Sequence, residues 1–158
     1  MKKILLLLIA LSMFITSCSK DDDSKEQTFF VNVYSSWQNS EEKLVNKALV
    51  YIFPYENKTI DNSKSAKSVA NDGLITYTDG SLSSRPKYAT RFQTGVFNIE
   101  NISNGEYILW VVYMEDYGGR CHSSYKKINV NSDYRGTSEK KFFQTSSQDQ
   151  GLYLFQNW

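Results

Sequence analysis

The sequence predicts an all-β fold, an antiparallel sandwich or barrel built from residues 28–158. Three observations predict it. Apolar and polar residues alternate at the two-residue period of a strand in segment after segment. Turn chemistry separates those segments, as Asp79-Gly80, Asn104-Gly105 and Gly118-Gly119. Stretches of helical period are scarce, so strands follow one another without the crossover helices of an α/β fold.

Thr28 to Trp37 is the first expected strand, with Phe29, Val31, Val33 and Trp37 on one side and Asn32, Tyr34 and Ser36 on the other. Lys47 to Tyr55 is the second and runs out at Pro54, which has no amide hydrogen for a ladder. Asn57 to Gly73 is rich in Ser, Lys and Asn and reads as a long loop or a short surface helix. Leu74 to Thr78 is a candidate short strand before Asp79-Gly80, and Ser81 to Lys87 is a loop. Phe92 to Ile102 is the next strand, and Asn104-Gly105 turns the chain into Glu106 to Glu115, the strongest strand pattern present. After the turn Tyr117-Gly118-Gly119-Arg120, the segments Tyr125 to Val130, Lys140 to Thr145 and Leu152 to Trp158 are expected as later strands. Lys126-Lys127 and Lys140-Lys141 read as solvated residues on edge strands, where charge blocks sheet-to-sheet association.

The run Val96 to Val112 places an aromatic-x-aliphatic pair, Asn-aliphatic, a short Gly turn, one residue, Tyr and an alternating strand in succession. This resembles the signature hairpin of transthyretin-like, or carboxypeptidase-regulatory-like, domains, and Lys47 to Ile52 is similar to that family's early strand. The resemblance implies a Greek-key β-sandwich of about seven or eight strands. The hairpin carries its own physical logic: Phe97, Ile99, Tyr107, Leu109 and Val111 share one parity and can fill a core between two sheets.

Ahead of this domain, Lys2 and Lys3 precede an apolar run from Ile4 to Ile15. That run is too short to span a hydrocarbon core of ~30 Å, but it suits the hydrophobic stretch of a secretory leader. Ile15-Thr16-Ser17-Cys18 resembles the bacterial lipobox, which implies cleavage before Cys18 and acylation of its sulfur. Two or more acyl chains give a stable membrane anchor, because each buried methylene contributes ~0.8 kcal/mol. Residues 19–27 contain no apolar side chain and read as a disordered tether. The segment Cys18-Ser19-Lys20-Asp21-Asp22-Asp23 resembles the acidic export signal of Bacteroidetes surface lipoproteins, which implies an outer-membrane anchor facing the medium. The organisation is thus a leader over 1–17, a lipidated cysteine and tether over 18–27, and one β domain over 28–158.

Composition narrows function. With 158 residues, 41% of them hydrophobic and 22% charged, the chain is long enough for one real core. The formal charge is +1 with Lys2 and Lys3 counted, so no strongly basic face exists to recruit nucleic acid. One His and two Cys leave no zinc constellation, and no cofactor is expected. Cys121 and His122 are neighbours, so on an extended chain they point to opposite sides and cannot form a dyad. Cys121 reads as an unpaired thiol, with an intermolecular disulfide as the alternative, and His122 as a surface or turn histidine. Glu115 and Asp116 end the strong strand, but spacing alone does not place two carboxyls across a cleft. No phosphate loop, dinucleotide fingerprint, G-x-S-x-G or H-E-x-x-H motif occurs. No catalytic residue is therefore assigned.

One feature is anomalous for a sheet with one wet face. Opposite the core parity, Glu106–Glu115 carries Ile108, Trp110, Val112 and Met114, and Lys47–Tyr55 carries Leu49, Tyr51, Phe53 and Tyr55. In the arrangement the resemblance implies, these two strands are neighbours, so the side chains form one patch. The chain itself can cover it, through residues 57–73 or the aromatic C-terminal segment. A second copy or a protein partner can cover it, or a sugar ring can stack on it. Tyr51, Phe53, Tyr55, Trp110 and Met114 are accordingly the candidate ligand or partner surface, with Cys18 as the lipid attachment. The expected protein is a non-catalytic, lipid-anchored surface binding or structural module. It is held to the membrane by its anchor and meets a glycan, a protein or a second copy of itself. The rival readings are an accessory subunit of a fimbrial assembly and, more distantly, a small hydrolase.

Overall fold

Strand β1 (Gln27–Trp37) is the spine of the first sheet. On one edge it pairs antiparallel with β5 (Val96–Ile102) and, towards its end, with the two-residue β2 (Lys43–Leu44). On the other edge its residues Phe30 to Trp37 pair with the whole of β8 (Thr137–Gln144). The second sheet has the order β4 (Tyr88–Ala89), β3 (Ala48–Pro54), β6 (Gly105–Met114), β7 (Cys121–Val130) and β9 (Tyr153–Phe155). These elements and one helix, α1 (Asn62–Asp72), come from a computed structural model that describes residues 27–37, 40–116, 119–131, 134–144 and 151–158. Cys18, the leader and the rest of the tether lie outside the described residues.

The all-β sandwich is therefore as expected, but the sheets are mixed rather than antiparallel. β1 with β8 and β7 with β9 are parallel pairs. Hairpin turns dictate antiparallel pairing only between strands adjacent in sequence. β1 and β8 are distant in sequence, so no local signal fixed their direction. Boundaries moved too. β7 begins at Cys121 rather than Tyr125, β8 at Thr137 rather than Lys140, and β5 at Val96 rather than Phe92. Leu74 to Thr78 makes only isolated bridges, Ile60 to Tyr77 and Thr76 to Leu82, instead of a strand.

The core between the sheets holds Phe29, Val31 and Val33 of β1 and Phe97 and Ile99 of β5. Against them pack Val50 and Ile52 of β3, Tyr107, Leu109 and Val111 of β6, and Phe142 of β8. The hairpin parity read from the sequence is the parity that faces this core. Gly95 leads into β5 where a Cβ would sit 2.4 Å from the Val33 carbonyl oxygen, so glycine permits the close approach.

A second core lies on the outer face of the second sheet. Leu49 and Phe53 of β3 and Ile108, Trp110 and Val112 of β6 pack there against Val69 of α1, Ile75 and Tyr77. The helix has little intrinsic drive, since few of its residues are apolar, but both ends are capped. The Asp61 side chain accepts from Lys64 N at 3.1 Å, and Gly73 closes the C-terminus in the left-handed conformation at φ 66°. Ser65 Oγ donates to Thr76 O at 2.8 Å and accepts from Thr76 N at 3.0 Å, stitching the helix to the segment after it. The two-sided apolarity of β3 and β6 is thus answered by the chain itself.

Candidate functional site

The five aromatic and methionine candidates do not make an open surface. Trp110 and Phe53 are both 0% exposed, beneath α1 and the C-terminal segment. The Trp110 indole stacks on Tyr125 at 5.1 Å between ring centres and meets Phe155 of β9 at 6.0 Å. These two side chains therefore belong to the second core, a correction that follows from the cover laid over them. Tyr51, Tyr55 and Met114 are half-buried at its margin. Burial raises the Tyr51 hydroxyl above its ordinary pKa. The Tyr55 ring sits 3.7 Å beneath Lys127 Nζ, a cation–π contact.

The concave site lies elsewhere, at one end of the sandwich. There β1 runs through Ser35 to its end at Trp37, and β6 through Tyr113 to its end at Met114, with Glu115 and Asp116 just beyond. Gln144 of β8, residues 43–46 and Arg120 complete a cleft of about 420 Å³. Ser35 and Trp37 share the parity of Val31 and Val33, and Tyr113 and Glu115 share that of Leu109 and Val111. The cleft is thus the mouth between the two sheets, where the rows that fill the core run on past its last apolar layer.

A buried polar chain backs the mouth. Glu115, 6% exposed, accepts from Arg120 Nε at 3.0 Å through one oxygen. Its other oxygen lies 2.7 Å from His122 Nε2. The other ring nitrogen, Nδ1, lies 3.1 Å from Gln156 Nε2, which can only donate, so the histidine is neutral with its proton on Nε2. Gln156 also accepts from Phe143 N at 3.0 Å and donates to Phe143 O at 2.8 Å, engaging β8 as a strand residue would. Burial holds His122 below the ordinary histidine range; Glu115 opposes that shift and Arg120 adds to it.

Tyr113 stacks on the His122 ring at 5.5 Å, and its hydroxyl accepts from Gln144 Nε2. Burial raises the Tyr113 hydroxyl pKa. At the rim Asp116 Oδ2 accepts from Asn46 Nδ2 at 2.8 Å. Trp37 is 42% exposed, pinned by a turn in which its N–H donates to Ser40 Oγ at 2.9 Å and its carbonyl accepts from Ser40 N at 2.8 Å.

Two sequence readings need correction. His122 is 2% exposed inside the core rather than on the surface, because Glu115 and Gln156 satisfy both its nitrogens. Lys140 is buried rather than solvated; its ammonium donates to the Asn157 carbonyl, and burial lowers its pKa to about 8. Lys141 is exposed and pairs with Glu42 at 2.8 Å. Cys121 is a buried free thiol in the second core, on the side of β7 opposite His122. Burial, then the Glu115 charge, raises its pKa.

Sequence reasoning did not single out Tyr113, Arg120 or Gln144. The available signal was Glu115 itself, a carboxylate on the core parity, with Arg five residues on and a lone His seven on. Among the described residues, no group of three or more His, Cys, Asp or Glu could hold a metal ion. No helix among them is long and apolar enough to cross a membrane.

No family model matches the chain, and no curated protein matches it. Among solved structures, a minor pilin of the Gram-positive pathogen Streptococcus agalactiae aligns over 80% of this chain at 9% identity with a TM-score of 0.37. The alignment takes in 47% of that pilin, so the chain spans about half its length. A candidate carbohydrate-binding protein from Pseudomonas aeruginosa aligns over 75% of this chain and 88% of its own, at 14% identity and a TM-score of 0.35.

Proposed function

We propose that the chain is a non-catalytic binding module, anchored by acyl chains on Cys18 to the outer membrane, displayed at the cell surface and capturing its ligand in the mouth of the sandwich. The observation that supports this reading is the division of labour among the polar groups there. Glu115 is committed to Arg120 and His122. Asp116, at the rim, is engaged by Asn46. Side chains held in this way present a fixed recognition surface and leave no pair poised to pass protons to and from a substrate.

The test uses the full-length protein in its host. Wild-type protein should incorporate a clickable fatty acid and be removed by protease from intact cells, and Cys18→Ala should lose the label. Equal label in the two proteins ends the anchoring half of the reading. Turnover of a bound ligand that vanishes in Asp116→Asn ends the non-catalytic half. The alternative, an accessory subunit of a surface assembly, draws on β9, three residues seated parallel at a sheet edge that could be exchanged between copies. That reading expects SDS-resistant ladders that heat dissolves, and a purified monomer without ladders removes it.

A further inference from the structure

We infer that the ligand of the sandwich mouth is a neutral saccharide, with Trp37 as the platform for one sugar face and Asp116, Asn46 and Gln144 as hydrogen-bond partners for its hydroxyls. The inference rests on the binding-module reading and adds the chemical class of the ligand.

Three features select that class. The first is which atoms are left over. Asn46 spends an amide hydrogen on Asp116, and Gln144 spends one on Tyr113. What remains at the rim is the second Asp116 oxygen, the two amide oxygens, and one amide hydrogen each on Asn46 and Gln144, three acceptors beside two donors. A ligand rich in hydroxyls, each of which donates and accepts, complements such a set.

The second feature is the aromatic wall. Trp37 and Leu44 are large apolar side chains left exposed at the lip of the cleft, 42% and 43% respectively. Their backbones are not free: Trp37 pairs with Gln144 of β8, and Leu44 with Tyr34. An indole on so rigid a support gives contact area at little cost in conformational freedom. A pyranose ring offers the matching shape, an apolar C–H face edged by hydroxyls.

The third feature is charge. Lys43 and Arg120 line the mouth together with Glu115 and Asp116, two cations against two anions. A balanced site gives no electrostatic preference to an acidic sugar or to an ammonium ion, either of which would want an excess of the opposite sign. The volume of about 420 Å³ is that of a small-ligand site, and its exposed lip lets a longer glycan continue into solvent.

The test is titration calorimetry of the full-length protein in detergent, with neutral oligosaccharides of glucose, mannose and galactose as probes. An array carrying both glycans and peptides accompanies it. Binding of a neutral glycan is expected, weakened more than about tenfold in Trp37→Ala and reduced in Asp116→Asn. Melting temperatures should stay near wild type, because Trp37 belongs to neither hydrophobic core. Lys67→Ala, on the exposed face of α1, should bind as wild type does. Glycan binding that survives Trp37→Ala overturns the site. A peptide bound in a Trp37-dependent way, with no glycan bound, overturns the saccharide and leaves the binding module standing. No bound probe of either kind overturns both.

Discussion

His122 gives the fold a pH response on the acid side of neutrality. It is the single histidine, buried and neutral, and its pKa lies below the ordinary value. As pH falls through about 6.5, the unfolded chain takes up a proton that the folded chain refuses. Unfolding therefore becomes easier in acid, and the window opens at the ordinary histidine value and extends downward. Melting temperature should drop between pH 7.5 and pH 5.5, and His122→Gln should flatten that slope whatever it does to the absolute value. Trp110 sets a second test at this scale. Because it is covered on both sides, Trp110→Ala should cost about 3–5 kcal/mol in denaturant titration. A loss below ~0.5 kcal/mol would mean that the indole is exposed in solution.

The C-terminal segment ties the two sheets together. β9 adds to β7, Phe155 reaches Trp110, the Gln156 amide pairs with the Phe143 backbone, and Lys140 holds the Asn157 carbonyl. Gln156→Glu keeps the shape but removes the donors to His122 and to Phe143 O. It should destabilise the fold by about 1–3 kcal/mol, read by thermal melts, and release the Trp fluorescence shift at lower denaturant. Elements of this kind also mark the limit of what the sequence discloses. Alternation identified β5 and its inward row, because a half-buried strand must write its burial at period two, whereas β6, apolar on both faces, showed as a continuous apolar run between turn signals. The helix α1 was open to either reading because its buried face is only Ser65, Ala66 and Val69, too short and too polar to show a stripe. The start of β7 was missed because Cys-His-Ser-Ser carries no aliphatic alternation, although all four side chains are buried. The site was legible only in fragments. Trp37 was assigned to the inward parity, and it lines the cleft, but nothing in a linear pattern says where a core ends and a mouth begins.

At the scale of the molecule, two hydrophobic cores share one sheet, with the helix and C-terminal segment as a third layer outside it. That arrangement explains how β3 and β6 can be apolar on both faces, one face meeting the first sheet and the other the third layer. It also separates stability from recognition. Changes at the second core should alter melting behaviour without touching ligand capture, and changes at Trp37 should do the reverse. β1 sets the polarity of the particle. It enters at Gln27, beside the tether, and leaves at Trp37, beside the cleft. Eleven extended residues at ~3.3 Å each put roughly 35 Å between the two ends. An acylated Cys18 would hold the near end against the lipid, so the opening would look outward, clear of headgroups and facing whatever diffuses past the cell. Shortening the tether by deleting residues 21–26 should then leave capture by intact cells within about twofold of wild type, because the strand already serves as the mast.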